Sequence, residues 1–279
     1  MMRYVSLILR NWTTALGILL LAAVLMMALT AHLVFPGDPY DMVGAPLTWP
    51  GDYADTPLGT DSLGRDMAAG LFYGARISLL VGFSSALVAA IVGVLVGAFA
   101  GYYGGWTDDV LMRVTELFQT TPQFMLALAV VAVFGPSVTV IILSLSAVSW
   151  PAVARLVRGE FMVMRERPFV HGCVVAGMSD MRIIFAQILP NVVPVIIVMS
   201  TILVATAILM ESALSFLGFG DPNVLTWGTM IGMGRGQLRD AWYIIAIPGV
   251  ALLLTALALN LVGEGLNDAL NPRLKQRKG

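Results

Sequence analysis

The sequence predicts an all-α membrane protein with about six membrane-spanning helices, and three observations carry that reading. Charged residues make up only 12% of the chain against 58% hydrophobic ones, where a soluble domain carries about 25% charged. Several uncharged stretches reach the ~20 residues that a helix needs to cross the hydrocarbon core. Their polarity does not alternate along the chain, as it must in the strands of a membrane barrel.

The stretches run Ala15–Phe35, Ile77–Tyr102, Leu117–Phe134, Val138–Val153, Val192–Met210 and Tyr243–Val262. Arg3 and Arg10 precede the first in the manner of a secretory signal. Its apolar run exceeds the ~7–15 residues of a signal peptide and ends in a poor cleavage site, so it reads as a retained span. Gly135, Pro136 and Ser137 make a tight hairpin between the third and fourth spans. Between the fourth and fifth, segment 154–191 is too long for a simple turn. It reads as two short helices, one over Arg155–Met164 and a second from Asp180 toward Leu189 with Ser179 as its N-cap. Gly177 stands just before that cap, where a reversal needs a permissive backbone, and Pro190 closes the segment.

Lysine and arginine set the orientation. With the amino terminus inside, segments 1–14, 103–116, 154–191 and 263–279 hold 12 of the 16 basic residues. Only Arg65, Arg76, Arg235 and Arg239 lie outside. Both termini are therefore expected in the cytoplasm. The chain divides into a first helix with an external loop (1–75), a transmembrane domain (76–265) and a cytoplasmic tail (266–279).

The net charge of −1 and the scattered basic residues exclude a continuous nucleic-acid surface. A single cysteine, Cys173, excludes an intrachain disulfide and a four-cysteine metal site. No phosphate loop, zinc-protease motif or nucleophile elbow occurs, and the Gly232, Gly234, Gly236 run follows no strand. The sequence thus shows no catalytic, cofactor or metal site. Gly93, Gly97 and Gly101 repeat every four residues and mark a close-packing seam, within this bundle or against a partner. Glu211, at the end of the fifth stretch, is either a cavity group or an interfacial one, and Glu116 simply reaches water. Pro122, Pro151 and Pro248 bend their helices.

The order of short motifs resembles a known family. Pro57-Leu-Gly-Thr-Asp-Ser-Leu-Gly-Arg-Asp66 and Tyr73-Gly-Ala-Arg-Ile-Ser-Leu79 look like the opening of the C-type permeases of dipeptide, oligopeptide and nickel ABC importers. The resemblance continues through Gly101-Tyr-Tyr-Gly-Gly-Trp106, Arg155-Leu-Val-Arg-Gly159, Ile188-Leu-Pro-Asn191, Leu214-Ser-Phe-Leu-Gly218, Trp227-Gly228 and Asp268-Ala-Leu-Asn-Pro-Arg-Leu274. It implies the transmembrane domain of a type I importer in the inner membrane. Such a chain pairs with a second, B-type permease, two cytoplasmic ATPases that use ATP and Mg, and an external substrate-binding protein.

In that family an EAA-type motif in the long cytoplasmic segment docks into the ATPase. Its glycine falls on Gly177 and its leucine–proline end on Leu189 and Pro190, with Ser179 and Asp180 between. Its Glu-Ala-Ala positions fall on His171, Gly172 and Cys173, so the acidic group is lost. His171 either replaces it as a hydrogen-bonding partner or has no role. The region around Ser215–Trp242 would face the binding protein and offers Asp221, Trp227, Arg235, Arg239 and Asp240. The implied function is half of a pathway for peptides or peptide-like solutes, with nickel or metal-chelate import as the alternative. A secondary transporter would need paired mid-membrane carboxylates, which are missing.

Overall fold

The computed structural model of the protein describes residues 12–270. Those residues form α1 (Trp12–Val34), α2 (Met67–Tyr103), α3 (Gly105–Gln119), α4 (Gln123–Phe134), α5 (Val138–Arg165), α6 (Pro168–Val175), α7 (Asp180–Phe219), α8 (Trp227–Gly234) and α9 (Tyr243–Leu270). The expectations for residues 1–11 and 271–279, including the end of the Asp268–Leu274 motif, lie outside the described residues. Helices α1, α2, α5, α7 and α9 are each long and apolar enough to cross a membrane.

The third expected span departs from this pattern. Leu117–Phe134 is not one helix: α3 and α4 meet at 79° across Thr120, Thr121 and Pro122. Proline lacks the amide proton and disfavours helical backbone in the residue before it, so the chain breaks there. The expected inside loop 103–116 is also mostly helix. Gly104 and Gly105, with φ of 66° and 51°, turn the chain from α2 directly into α3.

Two further boundaries move. Arg155–Met164 is not a separate short helix but the end of α5, which carries Pro151 in its interior. Nor does Pro190 close the coupling segment, since α7 runs through both Pro190 and Pro194. Its turns widen over Ile183–Ile188, just ahead of Pro190. That widening accommodates the missing donor and the ring's clash with the carbonyl four residues back.

The seam glycines are intramolecular. Helices α2 and α5 run parallel, with Gly93 against Trp150 and Val153, Gly97 against Ala154 and Val157, and Gly101 against Arg158 and Phe161. A Cβ on Gly93 would lie 2.5 Å from Val153 Cβ, and one on Gly101 would lie 2.6 Å from the Arg158 carbonyl oxygen. The seam therefore belongs to this bundle. On the other side α1 lies along α9, where Gly17 meets Leu261 and Gly265 meets Thr14.

The segment before α2 is folded onto the end of the bundle. Tyr243 Oη on α9 lies 2.8 Å from the carbonyl oxygens of both Thr48 and Thr60, which share its single proton. Asp66 caps α2 by accepting from the Ala68 N–H at 2.8 Å. Burial pushes its carboxyl pKa up, while the Ala68 and Ala69 amides pull it down. The Asp66 that ends the first motif is thus a helix cap.

Candidate functional site

The candidate coupling residues gather at the basic end of the bundle, where α2 and α5 finish and α7 begins. Pro168 opens α6 at the position where its missing N–H is harmless. Val170 is buried and Cys173 packs on the core, so α6 is held by one edge. His171, Gly172 and Val174 remain exposed, and Val175 is 88% exposed.

Gly177 ends α6. Its N–H donates to the Val174 carbonyl at 3.0 Å, and the Met178 N–H donates to that of Cys173 at 3.1 Å. This is a Schellman closure, which needs a left-handed residue at the glycine position. Gly177 has φ of 73° there. A Cβ on it would meet nothing within 4 Å, so the requirement within this chain is backbone sign alone. Ser179 takes the extended N-cap conformation, but its hydroxyl makes no cap bond, contrary to the expectation. Leu189 and Pro190 lie farther along α7, Leu189 against the core and Pro190 exposed.

Asp180, the first residue of α7, is tied to the α2–α5 seam. Tyr102 Oη donates to its Oδ1 at 2.8 Å. Arg165 Nη1 donates to the Tyr102 carbonyl oxygen at 3.0 Å, adding the end of α5 to the knot. Two turns back on α5, Arg158 grips Asp108 of α3 with two parallel bonds, a pair shielded from solvent on the carboxylate side. Tyr102, Asp108, Arg158 and Arg165 had no assigned role in the sequence. Their partners lie 50 to 78 residues away, and no local pattern announces such pairs. The start of α7, which stays helical as far as Leu214, is thereby tied to both α2 and α5.

The opposite end of α7 holds Glu211. It is neither a cavity nor an interfacial group: the side chain is fully buried. Ser215 Oγ donates to it at 2.6 Å, and Ser212 Oγ lies 3.3 Å away. The two serines sit on α7 itself, and it is close packing of the chain after α7 that fastens it to the helix. Gly228 completes the closure, since a Cβ there would sit 2.5 Å from Ser212 Cα.

The five residues expected to face a binding protein divide. Trp227 is fully buried, with Nε1 donating to the Leu71 carbonyl at 3.0 Å, so it presents no surface to a partner. Asp221 is half-buried and accepts from the Val138 N–H at 3.0 Å and the Asn223 N–H at 2.9 Å, which occupies its carboxylate within the fold. Arg235, Arg239 and Asp240 are exposed.

The chain matches known proteins over most of its length. The profile described as "Binding-protein-dependent transport system inner membrane component" matches residues 93–276. The Dipeptide transport system permease protein DppC of Escherichia coli K12 is 42% identical over 273 residues, covering 96% of this chain and 91% of that protein. The Di/tripeptide transport system permease protein DppC of Pseudomonas aeruginosa UCBPP-PA14 is 38% identical over 265 residues, covering 93% and 88%. Among solved structures, a chain of the inward-facing MetNI methionine ABC transporter superposes with a TM-score of 0.59 at 18% identity, over 72% of this chain and 96% of that one. The MetNI likeness concerns the fold, which is that of a type I importer permease. With its several apolar helices of spanning length, this multi-pass membrane protein belongs to the family of binding-protein-dependent transport system inner membrane components.

Proposed function

We propose that this chain is one of two permease subunits of an ATP-driven importer for short peptides. The similarity to two dipeptide permeases, across about nine-tenths of each chain, carries this reading. Its partners would be a second permease, two cytoplasmic ATPases that hydrolyse MgATP, and an external binding protein. The chain itself contributes no catalysis: it supplies half of the passage and a lever.

The lever would be α6, the Gly177 turn and α7. Closure of the ATPases would push α6, and the Tyr102–Asp180 bond would divide that push between the α2–α5 seam and α7. The basic residues at this end favour the cytoplasmic side for it and for both termini.

The test is uptake of radiolabelled dialanine into vesicles holding the assembled complex, with ATP on the ATPase side and binding protein on the other. ATP-dependent accumulation is expected. Absence of peptide uptake together with uptake of a nickel chelate would transfer the chain to metal import. Cysteines introduced at Ser179 and at Asp55, labelled with an impermeant reagent in spheroplasts, test orientation. Only the Asp55 position should react from outside.

A further inference from the structure

Helices α1 and α9 meet at one end and part toward the other. Near the basic end they touch closely: a Cβ on Gly17 would lie 2.7 Å from Leu261 Cβ, and Gly265 faces Thr14. Toward the opposite end α1 leans onto α2 instead. There His32 Nδ1 lies 3.0 Å from Tyr73 Oη, and the Tyr73 hydroxyl donates to the Phe35 carbonyl oxygen at 2.8 Å. The Phe35 and Phe72 rings meet edge-on, with centroids 5.2 Å apart. A wedge of about 490 Å³ is left between α1 and α9.

The wedge has two walls and a covered end. Val24 and Met27 of α1 line one side, Ala246, Val250 and Leu254 of α9 the other, and Leu71 of α2 lies between. Leu58 and Trp242 line the end where the segment before α2 folds onto the bundle, and Trp49 of that segment packs edge-on against Trp242. All the lining side chains are apolar or aromatic. Val250 and Trp242 stay more than half exposed, so the wedge opens sideways between two helices of spanning length. Water does not settle in a cavity that offers it no polar partner. An empty one forfeits the dispersion contacts of its lining.

Dimensions decide what fills it. The Trp242 carbonyl already accepts from the Ala246 N–H at 3.0 Å, so Trp242 stands in register with α9. Leu254 follows twelve residues later, about 18 Å along the axis. Half of the hydrocarbon core measures about 15 Å, and tryptophan favours the membrane–water boundary. The wedge therefore runs from one interface to the middle of the bilayer, the reach of a single leaflet. A helix of a partner subunit, about 10 Å across, would need about 1,400 Å³ over that length. A methylene fills about as much space as a water molecule, about 30 Å³, so the wedge holds a chain of about sixteen carbons.

We propose that the wedge between α1 and α9 binds one acyl chain of a phospholipid from the leaflet on the Trp242 side. That leaflet is the external one in the orientation proposed above. The site selects by length and shape, since its walls carry no charge, and the headgroup stays at the level of Trp242, in water. Glycine contacts join α1 to α9 over one half of the bilayer, and the lipid chain joins them over the other. The inference does not depend on which solute the importer carries.

The experiment uses the assembled importer, extracted from phospholipid vesicles in mild detergent and weighed by native mass spectrometry. Ala23→Phe with Ala246→Phe fills the wedge from both walls. This double variant should retain one phospholipid fewer per complex than the wild type. Ala22→Phe, exposed on α1 outside the wedge, should retain as many as the wild type. In parallel, a phospholipid with a photoreactive group on its acyl chain is activated in the vesicles before extraction. Label is expected on the peptides that carry Met27 and Val250, and at least fivefold less of it in the double variant. Equal phospholipid retention by double variant and wild type, in complexes of the same subunit composition, overturns the proposal. So does photolabel absent from both walls, because side chains of the second permease then fill the wedge. If the double variant fails to assemble, Ala246→Leu takes its place: a partial loss of label at Met27 supports the site, and unchanged labelling overturns it.

Discussion

Replacing Gly177 by leucine separates coupling from folding. The turn holds Gly177 at φ of 73°, and an L-residue there costs about 1–2 kcal/mol. No steric term adds to this, because a Cβ would meet nothing within 4 Å. The strain falls on α6, whose one fully buried residue is Val170, and not on the seam or α7. The variant should therefore insert, pair with its partner permease and melt within a few degrees of the wild type. Relaxing the turn would however re-aim α6 relative to Asp180, and a leucine would project into the open space that an ATPase would occupy. In vesicles containing ATPases and binding protein, dialanine uptake should fall at least tenfold, with hydrolysis either lost or indifferent to substrate. Near-normal uptake would refute the lever role of this segment, even with the family assignment intact. Gly177→Ala, which has the same backbone strain without the bulk, shows how much of the loss comes from φ alone.

Three other outcomes follow from the same geometry. Gly97→Ala would drive a methyl group into the Ala154 carbonyl and to 2.8 Å from Val157 Cβ. This overpacking of the seam should destabilise by about 1–3 kcal/mol, read as a drop of several degrees in the Tm of the detergent-purified chain; an unshifted Tm would mean that the helices can part without penalty. Tyr102→Phe removes the bond to Asp180, worth about 0.5–1.5 kcal/mol, and should raise substrate-independent ATP hydrolysis. Asp180→Asn, which keeps an acceptor, should retain tighter control, and equal behaviour of the two variants would count against the bond. Arg235→Glu with Arg239→Glu reverses two exposed charges and should weaken stimulation of hydrolysis by the binding protein, most at low salt, where screening is least; stimulation unaltered at every salt concentration would remove both from the contact.

Apolar runs and the spacing of glycines are local properties, and they were legible in the sequence. Five spanning helices stand where uncharged stretches predicted them, because burying or lipid-solvating such stretches needs no long-range information. The backbone sign at Gly177 was legible for the same reason: a glycine just ahead of an N-cap position marks a reversal. The seam of Gly93, Gly97 and Gly101 could be read as a seam, but not as one facing α5, since small residues announce close approach without naming the neighbour.

What only the tertiary structure decided concerns pairings at long separation and the behaviour of proline in context. Pro190 looked like a terminator, yet α7 passes through it because the preceding turns widen. Pro122, with the same local chemistry, breaks its helix. Trp227 looked like a surface anchor in a glycine-rich loop, but Gly74, Leu71 and Ser78 of α2 receive its ring and backbone in the core. Glu211 could sit in the interior because Ser212 and Ser215 turn their hydroxyls onto its oxygens. The residues that tie the coupling segment to the seam, Tyr102, Arg165 and Asp180, come from three separate helices, and only their packing brings them within hydrogen-bonding distance. Sequence periodicity specifies which face of a helix is apolar, whereas the partner of a buried polar group is fixed by three-dimensional geometry.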